Sequence, residues 1–198
     1  ELVWRDRQVR MHEIVDATPA PDGVHLLPKI LAIAAVLFVT NLVAVGAGIF
    51  VQLLRGHGQF QLDAYLLWFV LPQTVSAVLL AVLAVFVQTL VPHKMIGWAV
   101  MLVYLVASIA LNAAGFEHNL YQYAGAPTVP LSDMNGQGHF VMGRHWFNAY
   151  WAACAVVLVC LAYWLRRRGA ETRLMPRLKQ LPRRLASPAG AVFGTALL

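Results

Sequence analysis

The chain is 198 residues long, 60% hydrophobic and 12% charged, with a formal net charge of +6. So little charge among so many apolar side chains excludes a disordered chain and argues against an ordinary soluble domain. The basic excess lacks the aromatic interleaving of a nucleic-acid face, so no nucleic acid is expected as partner.

The apolar residues gather in four runs, 30–54, 64–92, 95–116 and 146–165. A bilayer core about 30 Å thick needs about 20 residues of helix at ~1.5 Å per residue, and every run meets that length. A backbone in hydrocarbon must pair its own donors and acceptors, which leaves helices or a closed barrel, and continuous rather than alternating runs select helices. The expected fold class is therefore all-α integral membrane: a four-transmembrane-helix bundle preceded by a cytoplasmic amphipathic helix.

Residues 1–23 form that first unit. At 100° per residue Val3, Trp4, Met11, Ile14 and Val15 share one arc, and Arg5, Asp6, Arg10, His12, Glu13 and Asp16 occupy the remainder. Pro19, Pro21 and Gly23 then force a turn before the chain enters the bilayer near Pro28 and Lys29. The first span, 28–54, has Thr40, Asn41 and Gln52 as its strongly polar side chains. The second, 64–92, has Gln73, Thr74, Ser76, Gln88 and Thr89, with Pro72 expected to kink it and free a carbonyl for a neighbouring donor. Asn41 and Gln73 either line a pathway or join helices. Small residues four apart, Ala44 and Gly48, Ala77 and Ala81, Ala149 and Ala153, mark stripes for close helix packing, within the chain or in a dimer.

A short turn from Val91 to Lys94 leads into the third span, 95–116, and residues 115–145 form a long extracytoplasmic loop. Loops of this length usually have a task. Glu117, His118 and Asn119 form a candidate polar group there, Tyr121 suits the headgroup level, and Asp133 and Asn135 are expected to cap or turn a short re-entrant or interfacial helix pair. Glu117, His118, Asp133, His139 and His145 invite a metal, but their spacing does not support one, and no metal is expected. The fourth span, 146–165, carries Cys154 and Cys160 on different faces, which suggests neither a disulfide nor a metal site. A basic cytoplasmic segment, 166–186, and the start of a further, truncated apolar segment, 187–198, complete the chain. That unfinished run, with Glu1 in place of an initiator Met, reads as an excerpt from a longer polypeptide.

Orientation follows from charge. Arg5, Arg7 and Arg10 precede the first span, Lys29 stands at its entry, and eight more Lys and Arg follow the fourth. Basic residues accumulate on the cytoplasmic side, so both ends of the four-helix region are expected there, and anionic lipid headgroups are expected against the basic tail.

Residues 5–19, Arg5-Asp-Arg-Gln-Val-Arg-Met-His-Glu-Ile-Val-Asp-Ala-Thr-Pro19, followed by Lys29 and a long apolar run, resemble the cytoplasmic signature of ABC-2-type exporter permeases. The segments 115–123 and 129–138 are similar to the outward loop of a bacterial subgroup whose permease segments are fused to an M1-type zinc aminopeptidase-like domain. The resemblance implies a permease segment in the bacterial inner membrane, with Arg7, Arg10, Met11, Glu13, Ile14, Asp16 and Pro19 on the helix that docks on an ABC ATPase subunit. It implies ATP on that partner and none here, zinc only in a peptidase-like domain outside this chain, a second permease half or homodimer partner, and no enzyme activity in the excerpt. The one His-Glu pair, His12-Glu13, has Asp16 where a second zinc ligand would stand, so the peptidase motif is not here. Glu13 and Asp16 are read either as charges meeting a basic partner surface or as a solvated face. The alternative function is a membrane anchor for the aminopeptidase-like domain.

Overall fold

The computed structural model describes residues 3–9, 11, 17, 23–58, 60–130, 136–166, 192, 195 and 196. The described residues are helical and connecting segments without a strand ladder: α1 (Arg5–Gln8), α2 (Gly23–Leu54), α3 (Leu62–Leu90), α4 (Lys94–Ala113) and α5 (Phe140–Leu165). The last four are long and apolar enough to span a membrane.

Each boundary has a local cause. Leu90 ends α3 because Pro92 holds Val91 extended (φ −77°, ψ 150°), as the residue before proline prefers. Two residues later His93 starts α4, its Nδ1 accepting from the Met95 amide at 3.3 Å. α2 begins at Gly23 rather than at position 28, with Pro28 inside the helix. Pro28 is the sixth residue of this helix, so it leaves the Val24 carbonyl without an amide four residues on, while the rest of the helix continues through it. α5 begins at Phe140 rather than 146, which moves Arg144 and His145 from the expected loop into the helix. Their place in its first turns lets long polar side chains reach the edge of the apolar zone. Within α3, residues Tyr65–Val70 are π-helical: the Leu71 amide bonds to the Leu66 carbonyl, five residues back. The π-turn lies just before Pro72, which has no N–H for the Trp68 carbonyl, so the expected kink takes the form of a widened turn.

α3 packs against α2, α4 and α5, and the buried residues lie along its seam with α5. Leu79 and Val82 meet Trp151 and Ala155, and Val85 meets Ala162 with Leu26 of α2. Hydroxyls in the apolar helices bond back to their own backbone, Thr40 to Val36 O at 2.8 Å and Ser108 to Tyr104 O at 2.9 Å. Asn41 Nδ2 donates to Thr74 Oγ1 at 3.0 Å, so Asn41 joins α2 to α3. None of the most apolar stretch of α2 is buried by the protein, and Leu31, Val36, Val43, Val103 and Ile109 present large apolar surfaces outward.

Short connections make α2, α3 and α4 run alternately, giving a proximal end (α1, 91–93, Arg166) and a distal end (55–58, 60–61, 114–130, 136–139). At the proximal end residues 3 and 4 dock on the bundle. Val3 packs against the Leu26, Val85 and Ala162 cluster, and Trp4 Nε1 donates to Gln88 Oε1 of α3 at 2.6 Å. Gln88 lies over Gly97 of α4, where an added Cβ would come within 2.6 Å of the amide group. Only glycine there leaves the Gln88 side chain its seat.

Of the stretch expected to form an amphipathic helix, one helical turn, Arg5–Gln8, lies among the described residues, and the amphipathic helix itself is not shown. Val9 and Met11 are 57% and 55% exposed. Arg7 lies in that turn, whereas Arg10, Glu13, Ile14, Asp16 and Pro19 lie outside the described residues, as do most of the basic segment after Arg166 and most of 187–198.

Candidate functional site

The long connection between α4 and α5 enters the bundle. Gln122 Nε2 donates to Ser108 O and Tyr104 Oη to Tyr123 O, both at 3.4 Å, and Trp151 Nε1 donates to Gly125 O at 2.8 Å. Tyr104 stands about two and a half turns below Ala113, roughly 14 Å at the usual rise. Irregular backbone is tolerated at such depth only when protein covers it and supplies partners, as Tyr104 and Trp151 do here. Residues 116–130 run as turns and extended segments without helix. Gly125 permits the tightest approach: a Cβ would lie 2.6 Å from Asn119 O. Ala124 before it takes a left-handed conformation (φ 64°) uncommon for a residue with a Cβ. The Tyr123 ring lies 5.1 Å from Trp151, and burial first, then Cys154 and Tyr104 beside it, pushes its phenol up to about 12. It is a neutral hydroxyl in this site.

Of the residues singled out in the loop, all but Asp133 and Asn135 are described. Phe116 and His118 both pack edge-on against Tyr121, at 5.7 and 6.0 Å, and His118 Nδ1 accepts from the Leu120 amide at 3.2 Å. Glu117 and Tyr121 are exposed and Asn119 half-buried, and the described contacts of His118 are with aromatic rings and the Leu120 amide. Asp133 and Asn135 lie outside the described residues. No group of His, Cys, Asp and Glu able to hold a metal occurs among the described residues.

Two cavities that share three lining residues lie at the distal end. The larger, about 770 Å³, is lined by Ala44, Val45, Gly48, Gln52 and His57 of α2 and its exit, by Gln61, Ala64, Tyr65, Trp68 and Phe69, and by Val129, Gln137 and Arg144. The smaller, about 290 Å³, lies between α3, α5 and the inserted segment, lined by Pro72, Gln73, Ser76, Ala124, Pro127, Thr128 and Asn148. Trp68, Phe69 and Arg144 border both. The π-turn supplies Trp68 and Phe69, and the Trp68 ring lies 3.5 Å from where a Cβ of Gly136 (φ 56°) would stand.

Arg144 is half-buried, its Nη2 donating to Gln137 Oε1 at 2.9 Å. No acidic side chain among the described residues pairs with it. One helical turn further, Asn148 Oδ1 is buried without a partner among the described residues. Arg144, Asn148 and Trp151 thus form a polar ladder on the inner face of α5. The sequence reading missed it because Arg144 was placed in a loop; the i, i+4, i+7 spacing would have shown it had the helix been started at Phe140.

The chain matches no family model, and no similar curated protein or solved structure was found.

Proposed function

We propose that this chain is the transmembrane permease segment of an ATP-driven exporter of the ABC-2 type, which couples a cytoplasmic ATPase subunit to movement of a substrate across the bacterial inner membrane. The observation that carries this reading is the docking of residues 3 and 4 on α3 through the Trp4–Gln88 hydrogen bond seated on Gly97. α3 packs against all three other spans, and its distal end carries the π-turn that lines the vestibule. A push on the N-terminal segment therefore reaches the helix that shapes the opposite end. Exposed Met11 suits contact with a partner. In this reading ATP is bound and hydrolysed by the partner, a second permease half or a second copy completes the path, the proximal end is cytoplasmic, and the basic tail lies on anionic headgroups.

The test is co-purification of the intact protein with candidate ATPase subunits, comparing wild type with Met11→Asp and Trp4→Phe. Met11→Asp is expected to lose the ATPase. Trp4→Phe is expected to retain it while substrate-stimulated hydrolysis falls, because the contact with α3 is broken on the bundle side. If no ATPase binds the folded wild type, the chain is a membrane anchor for an extracytoplasmic aminopeptidase-like domain, and the permease reading fails.

A further inference from the structure

We propose that the two cavities joined at Arg144 form a binding site for an acidic glycerophospholipid of the surrounding leaflet, its headgroup in the smaller cavity and one acyl chain along α2 in the larger. The binding site stands without the permease reading; only the identification of this lipid as cargo rests on it.

Three features meet here. A guanidinium cannot shed its charge by losing a proton, and a cation at the margin of hydrocarbon is costly unless an anion meets it. Among the described residues Arg144 has one hydrogen-bond partner, the neutral Gln137, and its side chain borders both cavities. Phosphodiester oxygens offer the acceptors that such a planar fork of donors pairs with. The smaller cavity is polar on the sides given by Gln73, Ser76, Thr128 and Asn148, and at 290 Å³ has room for about ten waters' worth of headgroup. Asn148 Oδ1, buried without a partner, is an acceptor placed for a headgroup hydroxyl. The larger cavity is apolar where it leaves Arg144, along Ala44, Val45, Gly48 and Phe69, and a Cβ at Gly48 would meet nothing within 4 Å. Its 770 Å³ is in the usual range for a ligand of lipid-chain size. A small soluble anion would satisfy Arg144 and leave this groove unfilled, whereas a lipid satisfies both. Because α2 buries none of its most apolar stretch, the groove adjoins the bilayer that supplies the chain.

The experiment uses the full chain in nanodiscs of phosphatidylcholine with a minor fraction of phosphatidylglycerol, ejected into native mass spectrometry to count retained lipid. Wild type is expected to keep one phosphatidylglycerol per chain in preference to phosphatidylcholine. Arg144→Gln is expected to lower that retention roughly tenfold or more, Arg144→Lys to keep part of it, and Arg55→Gln, an exposed cation at the same end, to leave it unchanged. Gly48→Leu fills the groove without touching Arg144 and is expected to abolish retention of the lipid; it decides the matter should Arg144→Gln fail to fold by thermal melting. Equal retention of both lipids, or wild-type retention in folded Arg144→Gln or in Gly48→Leu, overturns the proposal. Displacement of the lipid by free glycerol phosphate would mean that a soluble anion is the ligand, and overturns it too.

Discussion

Tyr123 and Asn148 each bring a polar atom into the bundle where no described residue meets it. The two differ in surroundings. Tyr123 lies against Trp151 and the Leu79 cluster, and its hydroxyl contributes desolvation cost without a bond. Tyr123→Phe is therefore expected to leave the protein at least as stable and up to about 1 kcal/mol more so, read by thermal unfolding in detergent. Trp151→Phe removes a donor from the buried Gly125 carbonyl and is expected to cost about 1–3 kcal/mol in the same assay. Backbone geometry sets up an opposed pair at the neighbouring positions. Ala124→Gly relieves a left-handed alanine and should stabilise by about 1 kcal/mol, whereas Gly125→Ala drives a Cβ against the Asn119 carbonyl and should loosen the whole insertion. If both substitutions destabilise alike, the left-handed turn is not where the loop holds its conformation.

Among the elements, α3 concentrates the irregularity. Its π-turn precedes Pro72 and delivers Trp68 and Phe69 to both cavities, so the proline and the vestibule are one construction. Pro72→Ala restores an amide for the Trp68 carbonyl and removes the cause of the widened turn. Slower amide hydrogen exchange over residues 65–72 and weaker lipid retention are the expected results, and unchanged exchange would show that packing rather than proline holds the π-turn. Between elements, Asn41→Leu breaks the bond to Thr74 and is expected to cost about 0.6 kcal/mol, the usual worth of one interhelical hydrogen bond in a membrane, read as a lower unfolding midpoint.

At the scale of the whole molecule the two ends are joined through α3: Trp4 grips it at the proximal end and the vestibule opens at the distal one. Gln88→Leu keeps the volume near Gly97 and removes the acceptor, so it should uncouple the N-terminal segment while leaving lipid retention at wild-type level. Coupled loss of both would mean that Gln88 holds the bundle together rather than transmitting through it. The apolar faces of α2 and α4 point outward, and little of either is buried by the chain itself.

Four spans were legible from run length alone, because a helix in hydrocarbon must be long and apolar wherever its neighbours stand. The starts of α2 and α5 were not. Pro28, Arg144 and His145 read as breaks in an apolar run, yet the helix runs through Pro28 at the loss of one amide bond, and a charged side chain near a helix start reaches out to polar surroundings. The Pro72 irregularity was readable as a kink, and its π form was not. Least legible was the vestibule. Its walls come from α2, α3, α5 and the inserted 124–129 segment, and that insertion is held by single hydrogen bonds between residues far apart in the chain, Trp151 to Gly125 and Tyr104 to Tyr123. Hydrophobicity is a property each segment carries with it, so membrane residence could be read residue by residue. Which polar side chains converge depends on helix phase and loop path, which arise only when the helices pack.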